Sequence, residues 1–247
     1  MIDTHAHLDA CNEPAPELLA RASAAGVTRV VTIGTGIESC RRVIALASAY
    51  AGVHATVGID PHQAATAEAG RVAELRELAA APRVVAIGEA GLDGFHGANT
   101  MREQRVLFEA QLALSAELGL PIVVHSRDAA PETAAALGRF HGVVVLHCFS
   151  SPELLEPAIE RGYYISFAGN VTYPKAEALR ECARQTPIEL MLAETDAPYL
   201  APQPVRGRRC EPAFVMHTLA VLAEVRGEDP VALERAIDEN ASRAFGL

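Results

Sequence analysis

Ile2-Asp3-Thr4-His5-Ala6-His7-Leu8-Asp9 reads as a short apolar strand that ends in a pair of histidines. Side chains alternate across a strand, so residues i and i+2 share a face and His5 and His7 point the same way. Two imidazoles side by side at a strand end can reach one cation, and nitrogen donors suit zinc, manganese, iron or nickel. Taken alone, such a pair is as readily an ordinary core or surface pair. It decides the fold only if other strand ends bring ligands to the same place.

Working outward, short Val/Ile-rich runs alternate with alanine-rich amphipathic segments along the whole chain. The runs are residues 1–4, 29–33, 54–58, 84–88, 121–125, 143–147, 163–167 and 189–193. Helical patterns lie between them, at about 15–25, 37–50, 67–80, 101–118, 129–139, 152–161, 175–185 and 212–226. A further one covers about 230–245. Apolar strands that alternate with helices imply parallel strands buried on both faces. Eight such units in 247 residues predict an α/β fold, a (β/α)8 TIM barrel with an additional C-terminal helix. An open doubly wound sheet is the alternative, but no G-x-G-x-x-G follows the first run. No linker or low-complexity tract appears, so residues 1–247 are expected to form a single domain. The longest irregular loop, 195–211, carries Pro198, Pro202, Pro204 and three arginines.

Composition narrows the function. Half of the residues are hydrophobic, enough for a large core. Charged residues or histidine interrupt every long apolar segment, so no membrane span is expected. The start of the sequence shows no basic stretch followed by an apolar one, and no secretory signal is expected. Five cysteines without a C-x-x-C pair read as free thiols in a reducing compartment, which gives a cytoplasmic expectation. A net charge of −10 argues against a protein that grips nucleic acid with its whole surface, though not against a local positive site. Tryptophan is absent and aromatics are few, against an extended base-stacking platform.

Barrel active sites form at the C-terminal ends of the strands. There the sequence offers His5 and His7 on the first, Glu89 ending the fourth, His125 ending the fifth, His147 ending the sixth, and Asp196 just past the eighth. Any one of them could be a polar residue capping a strand. Six metal-compatible side chains on five strands of one rim are a ligand set. His5, His7 and Asp196 could hold one divalent ion and His125 and His147 a second, with Glu89 bridging. Ions roughly 3.5–4 Å apart share a water, lower its pKa and stabilise both attacking and leaving oxygens.

The ordered motifs Asp3-Thr4-His5-Ala6-His7-Leu8-Asp9, Gly58-Ile59-Asp60-Pro61-His62, Gly88-Glu89-Ala90-Gly91-Leu92-Asp93, Val124-His125-Ser126-Arg127-Asp128-Ala129, His147-Cys148-Phe149-Ser150 and Glu194-Thr195-Asp196-Ala197-Pro198-Tyr199-Leu200 span nearly the whole chain. In this order they resemble the TatD family of metal-dependent deoxyribonucleases, within the amidohydrolase-like barrels. The resemblance implies metal-site roles for His5, His7, Glu89, His125, His147 and Asp196. It also implies hydrolysis of phosphodiester bonds in DNA, trimming single-stranded ends in the 3′-to-5′ direction with two divalent ions. Zinc, manganese and magnesium are the candidates: imidazole-rich ligation favours the first two, and magnesium needs more oxygen donors. Three positions depart from the family pattern. Asp60 stands where the family has histidine, Gly94-Phe95 where it has aromatic residues, and Cys210 where it commonly has asparagine.

Further residues have two readings each. His62 either faces the site, touching phosphate or a further metal, or stabilises the Pro61 turn. Asp93 either orients a ligand or caps the turn at Gly94. Arg127, two residues past His125, can hold a phosphate bidentately or form a surface ion pair. Arg206, Arg208 and Arg209 lie in the loop after strand eight, at the correct rim for a phosphate patch or simply in solvent. Glu194 shares a face with Asp196 and is expected to orient a ligand. Asp60 and Asp128 read as structural. His54, His96, His141 and His217 show no strand-end convergence and read as non-ligands, and Cys148 as a core thiol facing away from His147.

The mechanism expected is attack by a metal-activated water, with Asp196 as general base, Glu89 bridging, and no covalent intermediate. The partner is DNA, at single-stranded ends; no membrane and no obligate protein partner are expected. An amidohydrolase-type hydrolase of a small ester, lactone or phosphodiester fits the same ligands. Relatives of that kind often carry a carboxylated lysine where Glu89 stands. A non-catalytic metal-binding scaffold is the remaining alternative, and the complete ligand set argues against it.

Overall fold

In the computed structural model, which describes residues 1–247, eight strands alternate with helices. The strands are β1 (Ile2–Ala6), β2 (Arg29–Ile33), β3 (Val53–Val57), β4 (Val84–Asp93), β5 (Ile122–Arg127), β6 (Val144–Leu146), β7 (Tyr164–Phe167) and β8 (Met191–Ala193). The helices are α1 (Ala15–Ala24), α2 (Ile37–Ala49), α3 (Val72–Ala79), α4 (Met101–Leu118), α5 (Ala130–Leu137), α6 (Leu155–Glu160), α7 (Glu177–Gln185), α8 (Val215–Arg226) and α9 (Pro230–Phe245). One sheet holds the strands in sequential order, every pair parallel. Neighbours in sequence that are neighbours in the sheet, with a helix in each crossover, make the (β/α)8 TIM barrel. That order rules out the open sheet, whose strand order reverses at a switch point. The residues just past β8 complete the circle: Ala6 bridges Ala197, His7 N donates to Ala197 O at 2.7 Å, and Asp196 N donates to His5 O at 2.8 Å. No helix is long and apolar enough to cross a membrane.

Strand alternation divides the core into two layers. Ile2, Val31, Ile33, Val85, Val123, Val145 and Leu192 pack with one another inside the barrel. Their neighbours Val30, Ala55, Ile122, Val124 and Val144 pack outward against the helices. Burial on both faces is why the strands read as continuous apolar runs rather than alternating ones. Ala241, Ala244 and Phe245 of α9 join the interior layer. This helix therefore covers the end of the barrel opposite the ligands. It starts where Asp229 accepts from Ala232 N at 2.9 Å ahead of Pro230, and Asn240 pins it to the entry of β8 through Ile188 O and Met191 O.

Two strands depart from the expected bounds in a way that matters for the site. β1 reaches Ala6, so His5 lies within it rather than beyond its end. β4 runs to Asp93 instead of stopping at Gly88, and its pairing with β5 shifts register between Ile87 and Ala90. Glu89 therefore sits inside a strand at an irregularity, not at a strand end. A glycine serves this irregularity. Gly91 has φ +144°, and a Cβ there would lie 2.0 Å from His125 O. Gly91→Ala should cost about 3 kcal/mol in urea unfolding, from backbone clash and unfavourable φ together. Gly207→Ala, at φ +90° with open space around it, should cost only about 1 kcal/mol.

Candidate metal centre

β1 delivers two imidazoles, with His5 Nε2 and His7 Nε2 3.2 Å apart. Asp196 Oδ1 lies 3.7 Å from His5 Nε2 and 3.3 Å from His7 Nε2. Glu89 Oε2 faces the same two nitrogens at 3.6 and 3.5 Å. Its other oxygen, Oε1, lies 2.9 Å from His125 Nδ1 and 3.1 Å from His147 Nε2, and those two nitrogens are 3.1 Å apart. One carboxylate thus spans two groups of donors, His5, His7 and Asp196 on one side and His125 and His147 on the other. His5, His7, Glu89 and His147 are all buried.

The donor chemistry fits divalent cations. Nitrogen and oxygen ligands about 2.0–2.2 Å from a tetrahedral ion stand roughly 3.3–3.6 Å from one another, and the separations here run from 2.9 to 3.7 Å. Protonation points the same way. Burial presses His147 towards its neutral form, yet the charges of Glu89 and Glu194 hold its pKa well above the usual value. Burial likewise opposes charge on His125, but Asp93 and Glu89 raise it to about 8. Burial would raise Glu89, and the charge of His147 with hydrogen bonds from His125 and His147 holds it well below the usual carboxylate range. Asp196 is lowered against its burial chiefly by the hydrogen bond from His7. His5 is driven down by burial and by His147. The carboxylates call for positive charge between them, which is what a bound cation supplies.

The ligands are held from behind. Glu194, fully buried, accepts from Cys148 N at 2.8 Å and places Oε1 3.3 Å from His147 Nδ1. Asp93 Oδ2 lies 3.3 Å from His125 Nε2, while Asp93 Oδ1 accepts from His96 N at 2.6 Å. Asp93 thus faces the His125 ring with one oxygen and caps the turn with the other. Asp3 was not weighed as a site residue in the sequence, although it stands in the first motif. Its Oδ1 accepts from Thr195 N at 2.9 Å and His5 N at 3.3 Å, and its Oδ2 from Thr195 Oγ1 at 2.5 Å.

These side chains open on a cavity of about 670 Å³. His62 and Arg127 line it, and the Arg127 guanidinium lies 4.1 Å over the Phe95 ring. Arg206, Arg208 and Arg209 are not among its lining residues; Arg206 turns onto the Tyr173 ring at 4.1 Å. The loop was on the correct rim, but its fold keeps these arginines off the cavity wall. Cys148 corrects the expectation of a thiol facing away from His147, since it lines the cavity, and His96 lines it too although it follows no strand end. His96 is carried back onto Asp93 by the turn after β4, with Nδ1 3.1 Å from Asp93 Oδ2. Cys148 has φ +43°, so the alternation that would hide its side chain no longer applies past β6. Burial, with Asp196, Glu194 and Glu89 nearby, pushes its thiol well up, so it is a neutral wall residue and not a nucleophile. Asp60 caps its turn by accepting from Gln63 N at 3.1 Å and also lines the cavity. Sequence reasoning missed Arg42 of α2, paired with Asp9 at 2.9 Å, and the exposed ring of Tyr199 beside His7. Tyr199 lies in a quoted motif and could have been found there; Arg42 gave no local signal.

Two outcomes follow from these supports. Glu194→Ala frees His147 and leaves Cys148 N unpaired, so zinc affinity measured by competition with a chelating dye should fall about 10–100-fold. Burial pushes Asp3 up to about 8 against the pull of the Thr195 donors. A raised folded-state pKa stabilises fully below the unfolded value of 3.8, and that contribution is lost as pH rises through about 8. Unfolding free energy followed from pH 5 to 9 should therefore decline more steeply for the wild type than for Asp3→Asn.

Comparison with known proteins returns the TatD family over almost the whole chain. The model for TatD-related DNases matches residues 2–246. An uncharacterised metal-dependent hydrolase TatD of Mycobacterium tuberculosis is 39% identical, the match covering 100% of this chain and 98% of that one. A 3′-5′ ssDNA/RNA exonuclease TatD of Cronobacter sakazakii is 40% identical over 93% of this chain and 90% of its own. Among solved structures, the TatD homologue YJJV of Escherichia coli K12 superposes with a TM-score of 0.93 at 31% identity, covering 100% of this chain and 98% of its own.

Proposed function

The chain belongs to the family of TatD-related DNases, and from that membership we propose that it is a metal-dependent hydrolase of phosphodiester bonds that trims single-stranded nucleic acid from its 3′ end. The observation that carries the reading is Glu89, whose two oxygens face separate groups of imidazoles. A bridging carboxylate between two donor sets is what a two-metal phosphodiesterase requires. His5, His7 and Asp196 would hold one ion, His125 and His147 the other, with Glu89 shared. Bound divalent ions would supply Lewis acidity and positive charge against the scissile phosphate.

The protein's own groups do the rest. Asp196, kept deprotonated beside His7, accepts the proton of the attacking water. Glu194 and Asp93 fix the rings of His147 and His125, so the ligands do not turn as charge develops. Arg127, braced on Phe95 at the cavity wall, holds a neighbouring phosphate through its planar fork. The exposed Tyr199 ring beside His7 offers a face on which the terminal base stacks. A local site of this kind reconciles a net charge of −10 with a polyanionic substrate. Binding is then salt-sensitive and confined to the chain end.

Single-stranded DNA labelled at its 5′ end, incubated with zinc- or manganese-loaded protein, should give a ladder that shortens from the 3′ end. Asp196→Asn should slow it at least ~100-fold. Intact DNA alongside turnover of a lactone or a small phosphodiester would overturn the nuclease reading while leaving a metal-dependent hydrolase.

A further inference from the structure

Beside the main donor set, His62 and His96, which have no part in the proposed chemistry, gather on the Asp93 carboxylate. The turn after β4 brings His96 back over Asp93, and the short turn after β3 brings His62 to the same carboxylate. Asp93 Oδ2 has His96 Nδ1 at 3.1 Å, His62 Nε2 at 3.2 Å and His125 Nε2 at 3.3 Å. A carboxylate oxygen has two lone pairs, so it cannot accept good hydrogen bonds from three imidazoles. All three contacts are also longer than the 2.7–2.9 Å typical of a charge-assisted bond. His125 has the best claim to a hydrogen bond, because each of its ring nitrogens faces a carboxylate, Nδ1 that of Glu89 and Nε2 that of Asp93, so Nε2 is placed to donate to Asp93. The remaining lone pair can serve only one of His62 and His96, so at least one of these nitrogens is free to present a lone pair.

We propose that His62 Nε2, His96 Nδ1 and Asp93 Oδ2 form a third cation site on the cavity wall, separate from the centre built on Glu89. The three atoms lie within 4.8 Å of one another. The separations from Asp93 Oδ2 match the roughly 3.3 Å edge of a tetrahedral site. Two imidazoles and one carboxylate suit a borderline ion such as zinc, cobalt or nickel better than magnesium or calcium. Neighbouring rings set the imidazole orientations: His62 packs edge-on against His96 at 5.7 Å and His125 at 5.9 Å, and Phe95 packs edge-on against His96 at 4.7 Å. Asp93 is buried, whereas the His62 and His96 side chains are 48% and 52% exposed, which leaves room for water to complete the coordination. With one carboxylate and partial exposure, this site fills after the main centre.

The site does not depend on the hydrolytic reading, and its test separates the two. Cobalt(II) bound per chain is measured by equilibrium dialysis and elemental analysis for the wild type, His96→Ala, His62→Ala and the double variant His5→Ala/His7→Ala. The expected result is one ion fewer in His96→Ala and in His62→Ala than in the wild type. The double variant loses ions from the main centre but keeps the one that disappears when His96→Ala is added. Both single substitutions replace partly exposed side chains, so circular dichroism should show an unchanged fold. Equal cobalt uptake by the wild type and His96→Ala, at whatever total, would overturn the proposal. So would retention of that ion in His62→Ala.

Discussion

A buried carboxylate closes the barrel and assembles the site in one act. Asp3 on β1 receives the amide and hydroxyl of Thr195, which stands 192 residues away along the chain. The same segment pairs with β1 through Asp196 N to His5 O and His7 N to Ala197 O. Hydrogen bonds of this kind contribute about 1–3 kcal/mol each. Their larger consequence is positional: they hold Asp196, at φ +56°, against His5 and His7. A barrel that opened between its first and last strands would lose its seam and part of its donor set together.

The second constraint is the irregularity in β4. A regular strand would send its side chains alternately in and out, and no carboxylate would reach both sides of the donor set. The register shift between Ile87 and Ala90 lets Glu89 stand up into the mouth of the barrel while β4 continues to Asp93. Asp93 then serves the ring of His125 from behind. One strand thereby supplies both the carboxylate that spans the two groups of donors and the one that faces the His125 ring. Close approach of β4 to β5 at Gly91 is the backbone condition for this arrangement.

Much of this was legible in the sequence because parallel strands buried on both faces leave a plain signal. Each break from an apolar run to His, Glu or Asp marked a residue that the structure brings to one rim, and α9 was read to its bounds. What escaped depended on backbone behaviour that periodicity does not encode. Glu89 was read as the end of the fourth strand and stands instead at an interruption within it. Cys148 was placed by alternation, which fails where φ turns positive just past β6. Arg206, Arg208 and Arg209 were placed by loop and rim alone, and neither says which way a side chain turns. Arg42 and His96 reach the cavity only through tertiary contacts, from the α2 helix and from the turn after β4.

We propose that closure of the barrel builds a two-ion centre around Glu89. Anomalous diffraction from crystals soaked in manganese tests it most directly. Two strong peaks should flank the Glu89 carboxylate, one among His5, His7 and Asp196 and the other beside His125 and His147. A single peak that Glu89 does not touch, or none at this rim, would contradict it.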